Sequence, residues 1–265
     1  GTLMERLVAF EAAGAPFAKL LLPHAEERLR SVRMPPSRLT AAVLGDASGS
    51  MEVAIRSATI LGGLLSACLN AELLFFRDRV ERLADPPRTA EGVLRVVRET
   101  RAESLTAPTA ALNALLESRT AVDLMVVVTD EQENHFPWGE DFAQMFLRYK
   151  TEVCAGTKLF FVSFLPASIT VGKMVAKLRR RHVDVRTFAL DPRRPDLSKF
   201  SQLLGLVALE AATFGARSEP VAPADGVAAA GGDASGGNAA VGDGDADRAR
   251  VVIGGGGGSG SGSGG

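Results

Sequence analysis

At 265 residues, with 46% hydrophobic and 23% charged side chains, the chain has the length and composition to bury a sizeable core. A formal net charge of −1 gives no electrostatic reason to expect a binder of nucleic acid or of a membrane surface. No stretch approaches the roughly 20 apolar residues that cross a bilayer, and the start carries no signal-peptide pattern.

Residues 1 to 35 are predicted to be helical. Leu3, Leu7, Val8 and Phe10, then Phe17, Leu20, Leu21 and Leu22, recur near helical spacing, with Gly14 and Pro16 interrupting and Pro35 and Pro36 closing the segment. Leu39 to Leu44 is a predicted strand, followed by a helix from Ser50 to Leu69, a strand from Leu73 to Phe76 and a short one from Val80 to Leu83. Helices over Thr89–Glu99 and Thr109–Glu117 come next. The run Leu124-Met125-Val126-Val127-Val128 is continuously apolar, as a central strand covered on both faces must be. Phe142, Met145, Phe146 and Tyr149 mark a helix by their i, i+3, i+4, i+7 spacing. Leu159–Phe164 and Val183–Phe188 are further predicted strands, with helices over Ile169–Arg180 and Leu197–Phe214.

This alternation predicts an α/β protein with a doubly wound, mostly parallel central sheet and helices on both faces. The expected domains are a helical N-terminal extension (1–36), the α/β domain (37–216) and a disordered tail (217–265) rich in Gly, Ala, Asp and Ser, too poor in apolar residues to offset its conformational entropy. Cys68 and Cys154 lie far apart in apolar surroundings, as two reduced, buried side chains do, so the expected location is intracellular, in the cytoplasm.

Doubly wound sheets bind ligands at the carboxyl ends of their strands. Gly45-Asp46-Ala47-Ser48-Gly49-Ser50 follows the first strand and Thr129-Asp130-Glu131-Gln132-Glu133-Asn134 follows the apolar central one. Between them Ser104-Leu105-Thr106-Ala107-Pro108 leads into a helix. Asp46 and Asp130 bring charge, while Ser48, Ser50 and Thr106 bring neutral hydroxyl oxygens. Such a set suits a hard cation, Mg²⁺ first and Mn²⁺ or Ca²⁺ next, and with few carboxylates the ion keeps an open position for an outside anionic oxygen. The absence of His and Cys from the set argues against zinc.

Asp46-x-Ser48-x-Ser50 after a hydrophobic strand, Thr106 ahead of a helix, and Asp130 at a strand end together resemble the metal-ion-dependent adhesion site of von Willebrand factor A domains, over about Leu39 to Leu204. The resemblance implies that the serines and the threonine touch the metal, that the aspartates often act through water, and that a partner's acidic residue supplies the missing ligand. One departure is the threonine loop, which in the family usually begins Gly-Gly-Thr and here reads Ser104-Leu105-Thr106 with Pro108 added, a stiffer backbone. Within the superfamily, Thr129 to Asn134 and Leu147-Arg148-Tyr149 look most like the A domain of the Ro (TROVE-type) ribonucleoproteins.

A lone Asp-x-Ser is a cheap pattern, and Asp233-Ala234-Ser235 in the tail nearly repeats it by composition alone. The order and placement of all three segments carry the reading. The functional expectation is a non-enzymatic, cation-dependent module that binds a protein partner through its Asp or Glu, with Pro108, Glu131, Phe136 and Trp138 forming the rim. The alternatives are a ribonucleoprotein component, with RNA held through an associated domain, and a scaffold that kept the fold without the metal, Asp46 and Ser48 then serving as helix caps.

Overall fold

The computed structural model describes residues 2–34 and 39–215, the last three by backbone alone. The chain divides into two units, Gly1–Pro220 and Val221–Gly265. The second unit, the expected tail and the Pro35-Pro36 break lie outside the described residues.

Helices α1 (Thr2–Ala12) and α2 (Ala18–Val32) precede the first strand, and Gly14 and Pro16 fall between them. Then follow β1 (Ala41–Asp46), α3 (Ile55–Leu69), β2 (Glu72–Phe76), β3 (Val80–Arg82), α4 (Ala90–Glu99), α5 (Pro108–Glu117), β4 (Leu124–Thr129), α6 (Phe142–Glu152), β5 (Lys158–Phe164), α7 (Lys173–Arg180), β6 (Val185–Leu190) and α8 (Phe200–Gly215). The six strands form one sheet in the order β3-β2-β1-β4-β5-β6, all parallel except the β2–β3 pair. This is the doubly wound α/β architecture expected from the alternation.

Side chains alternate across the sheet as the pleat requires. Val43, Val126, Val128, Phe160 and Val162 pack with α1 to α4 and α8 on one face. Ala42, Leu44, Met125, Val127 and Phe161 pack with α5, α6 and α7 on the other. Met4, Leu7, Val8, Ala25 and Leu29 of α1 and α2 belong to the first of these cores. Among the described residues no helix is long and apolar enough to cross a membrane.

Several element boundaries differ from expectation, among them β6, which begins and ends two residues later than predicted, and α8, which is preceded by a 3-10 turn over Leu197–Lys199. β1 begins and ends two residues later than predicted, so Asp46 is its last residue. Gly45 within it lets the Phe75 ring close over the strand, since a Cβ there would stand 2.6 Å from that ring. Ser50 lies in a 3-10 turn, Gly49–Met51, ahead of α3 rather than inside the helix. Ile169 to Val171 are loop, with Gly172 as the N-cap of α7.

Candidate functional site

β1 pairs with β2 on one side and with β4 on the other, so the strand order switches between β1 and β4. Asp46 and Asp130 stand at the carboxyl ends of these two strands, where a doubly wound sheet opens its crevice.

Asp46 is buried and its carboxylate is held from both sides. Oδ1 accepts the Ser48 N–H at 3.0 Å and the Ser48 hydroxyl at 2.6 Å, and Oδ2 accepts the Thr129 hydroxyl at 2.6 Å. Burial, and then the charge of Asp130, push its pKa up to about 7, against the pull of those hydrogen bonds. Asp130 is half-buried and accepts the Gln132 N–H at 3.0 Å. The Ser48 and Ser50 hydroxyl oxygens lie 3.1 Å apart, with Ser48 buried and Ser50 exposed. Adjacent ligands of an octahedral Mg²⁺ at about 2.1 Å stand about 3.0 Å apart, so this pair has the spacing of one coordination edge.

Thr106 is buried in the third loop. Its N–H donates to Asn134 Oδ1 at 2.9 Å, and its carbonyl accepts the N–H groups of Asn134 at 3.2 Å and His135 at 3.1 Å. The same loop is stitched to the first, because Gly49 N–H donates to the Ser104 carbonyl at 3.1 Å and Glu103 N–H to the Ala47 carbonyl at 3.0 Å. Ser104 takes φ 66°, the left-handed conformation that glycine would adopt more cheaply. The non-glycine loop is therefore accommodated by backbone bonds to its neighbours. Of the five expected donors, Asp46 ends β1 and Ser48, Ser50, Thr106 and Asp130 lie on three loops joined at the same end of the sheet. Among the described residues no group of three or more His, Cys, Asp and Glu side chains gathers to hold a metal. Here the oxygens come from two carboxylates and three hydroxyls.

The expected rim divides. Phe136 and Trp138 are each 43% exposed, and the Lys177 ammonium lies 5.5 Å from the Phe136 ring centre. Pro108 does not belong to the rim, since it is buried at the start of α5, where its missing N–H costs nothing. Nor does Glu131, which is buried with φ 59°. Its carboxylate accepts the Ser163 hydroxyl at 2.6 Å and the Val175 N–H at 2.9 Å. It thereby caps α7, whose own N-cap, Gly172, has no side chain to offer. A Cβ on Gly172 would stand 2.0 Å from that carboxylate. Glu133 does not face water either. It accepts the Phe142 N–H at 2.7 Å and pairs with Lys177 at 2.9 Å, and burial still raises its pKa above the usual value.

Sequence reasoning passed over Thr129, Asn134 and Ser163. Thr129 carried a readable signal, a polar residue closing an otherwise apolar strand directly before the candidate ligand. Asn134 and Ser163 carried none, because their partners are distant in sequence.

No protein-family model matches the sequence, and no curated protein matches it. Solved structures similar to it include the Ro (RSR) protein of Deinococcus radiodurans, at 16% identity and a TM-score of 0.47, covering 67% of this chain and 36% of that one. BatB of Bacteroides thetaiotaomicron is 12% identical with a TM-score of 0.47, covering 66% of this chain and 99% of that protein. A von Willebrand factor type A protein of Catenulispora acidiphila is 11% identical with a TM-score of 0.45, covering 66% of this chain and 43% of that one. The chain thus spans about a third of the Ro structure. The architecture itself, a doubly wound α/β sheet, stands on the strand order and pairing of this chain.

Proposed function

We propose that the chain is a divalent-cation-dependent protein-binding module. Asp46, Ser48, Ser50, Thr106 and Asp130 would hold Mg²⁺, or Mn²⁺ or Ca²⁺ in its place, and an Asp or Glu carboxylate of a partner protein would complete the shell. The observation that carries this reading is Asp46 at the switch point, buried, raised further by the charge of Asp130, and bonded by the Ser48 and Thr129 hydroxyls with the Ser50 hydroxyl beside them. A cation there offsets both the burial and the repulsion that raise Asp46. The set gives the ion few charges, which favours capture of an anionic group from outside.

Binding is favoured over hydrolysis by the state of the neighbouring carboxylates. Glu131 and Glu133, the acids that could serve as a general base, are committed to helix N-termini, Ser163 and Lys177. The exposed Phe136 and Trp138 give a partner apolar surface beside the ion.

Calorimetric titration with Mg²⁺ and Mn²⁺, run beside Asp130→Ala, tests the proposal. Saturable one-site binding that the variant loses supports it. No saturable binding by the wild-type protein overturns it.

A further inference from the structure

A groove of about 380 Å³ opens directly beside the candidate cation site. Its volume falls within the roughly 300–1,000 Å³ of ligand clefts. Ser50 and Asp130 line it, which joins it to the proposed metal shell. Its apolar lining combines the buried Met51 and Phe164 with Val53, Ile169 and Val171, which are 73%, 44% and 42% exposed. Exposed β-branched residues converging on one concavity are costly to leave in water and suit an apolar guest.

Two cations, Lys173 and Arg193, also line the groove. Both are exposed, and neither has an ion-pair partner among the described residues. The wall that carries Ile169 and Val171 is firmly placed. Gly172 packs against the buried Glu131 carboxylate, which in turn holds the first turn of α7 through Val175 N–H.

We infer that this groove reads the partner's sequence around its metal-bound acid. The inference rests on the metal-binding reading above. The occupant is a segment of a partner protein with an Asp or Glu on the ion and an aliphatic or aromatic side chain within two positions of it, seated among Val53, Ile169 and Val171. In an extended segment, side chains two apart share a face, so one strand of peptide can reach both places at once. Further acidic residues are favoured beyond the apolar one, opposite Lys173 and Arg193. The ion supplies affinity for a carboxylate, and the groove supplies the selectivity among carboxylates.

Selection from a random peptide library displayed on phage, against the whole chain in Mg²⁺, tests this. The expected consensus pairs an acidic residue with an apolar one within two positions, and disappears in EDTA. A synthetic consensus peptide should lose about tenfold in affinity or more when its apolar residue becomes serine, and similarly when the protein carries Val171→Lys. Both changes should spare Mg²⁺ binding by the protein alone. A consensus with an acid and no apolar preference overturns the groove while the metal reading stands. An unchanged consensus in Val171→Lys does the same. Enrichment that survives EDTA, or no enrichment at all, also overturns the proposal, and the Mg²⁺ titration then decides separately whether the metal reading falls with it.

Discussion

The Thr129 hydroxyl donates to Asp46 Oδ2 at 2.6 Å, so the last residue of β4 holds the last residue of β1. The same hydroxyl oxygen accepts the Glu131 N–H at 3.0 Å, which ties the turn after β4 to the junction. Thr129→Val keeps the shape and removes both bonds, leaving a buried carboxylate oxygen and a buried N–H without them. The expected cost is about 1–3 kcal/mol of stability, read by urea unfolding. On the proposed metal-binding reading, Mg²⁺ affinity should fall roughly tenfold to a hundredfold, because a residue that orients the proposed ligand Asp46 is lost. Unfolding and titration curves matching the wild type would mean that Asp46 is positioned without Thr129.

If the proposed cation binds, its affinity should depend on pH. Asp46 keeps its proton up to about pH 7, through burial first and the Asp130 charge second, and the metal needs the carboxylate. Binding is expected to strengthen as pH rises through 7 and then to level. Metal-free stability runs the other way. The folded pKa lies above the ordinary 3.8, so the contribution of Asp46 is full below that value and is lost as pH rises through about 7. Titrations across this window, with melts in EDTA alongside, check both signs. A flat affinity profile would show that Asp46 is ionised throughout.

Gly172→Ala should destabilise the domain, since the added Cβ would stand 2.0 Å from the Glu131 carboxylate. Either Glu131 withdraws from Val175 and Ser163 or α7 shifts, at about 1–3 kcal/mol. Combining it with Glu131→Ala should cost less than the sum of the two single changes, because the clash is gone. Strict additivity in that cycle would place the two residues apart.

Alkylation separates the two free cysteines. Cys68 is buried, and that burial pushes its thiol up to about 11, whereas Cys154 is half-buried. Iodoacetamide at neutral pH should modify Cys154 first, and Cys68 only once the domain opens, as peptide mass mapping would resolve. Early modification of Cys68 would mean that α3 opens locally under native conditions.

The sheet was legible wherever strands are covered on both faces. Leu124 to Val128 could be nothing but a central strand, and its apolar run matches β4 to within one residue. The end of β1 was less so, because Gly45 and Asp46 have the chemistry of a turn. Only the Phe75 ring from the neighbouring strand explains a glycine there. Ile169 and Val171 imitate the start of an amphipathic helix, yet they line a groove outside α7. The five proposed donors were readable because each stands in a short local pattern. The roles of Glu131 and Pro108 were not, because burial is decided by α7 and α5 packing back onto the sheet. Local spacing cannot report that.

The two outer strands have a consequence for how the domain meets its own kind. β3 is three residues long, with Glu81 and Arg82 exposed and paired to Arg77 and Glu72. At the opposite margin, Arg186 and Thr187 of β6 are exposed, and Arg186 is clasped by Glu210 of α8 at 2.7 Å. A three-residue charged strand at one margin and, at the other, a strand whose Arg186 is tied to α8 are poor templates for a further strand, so crowding or partial unfolding should not propagate the sheet from molecule to molecule.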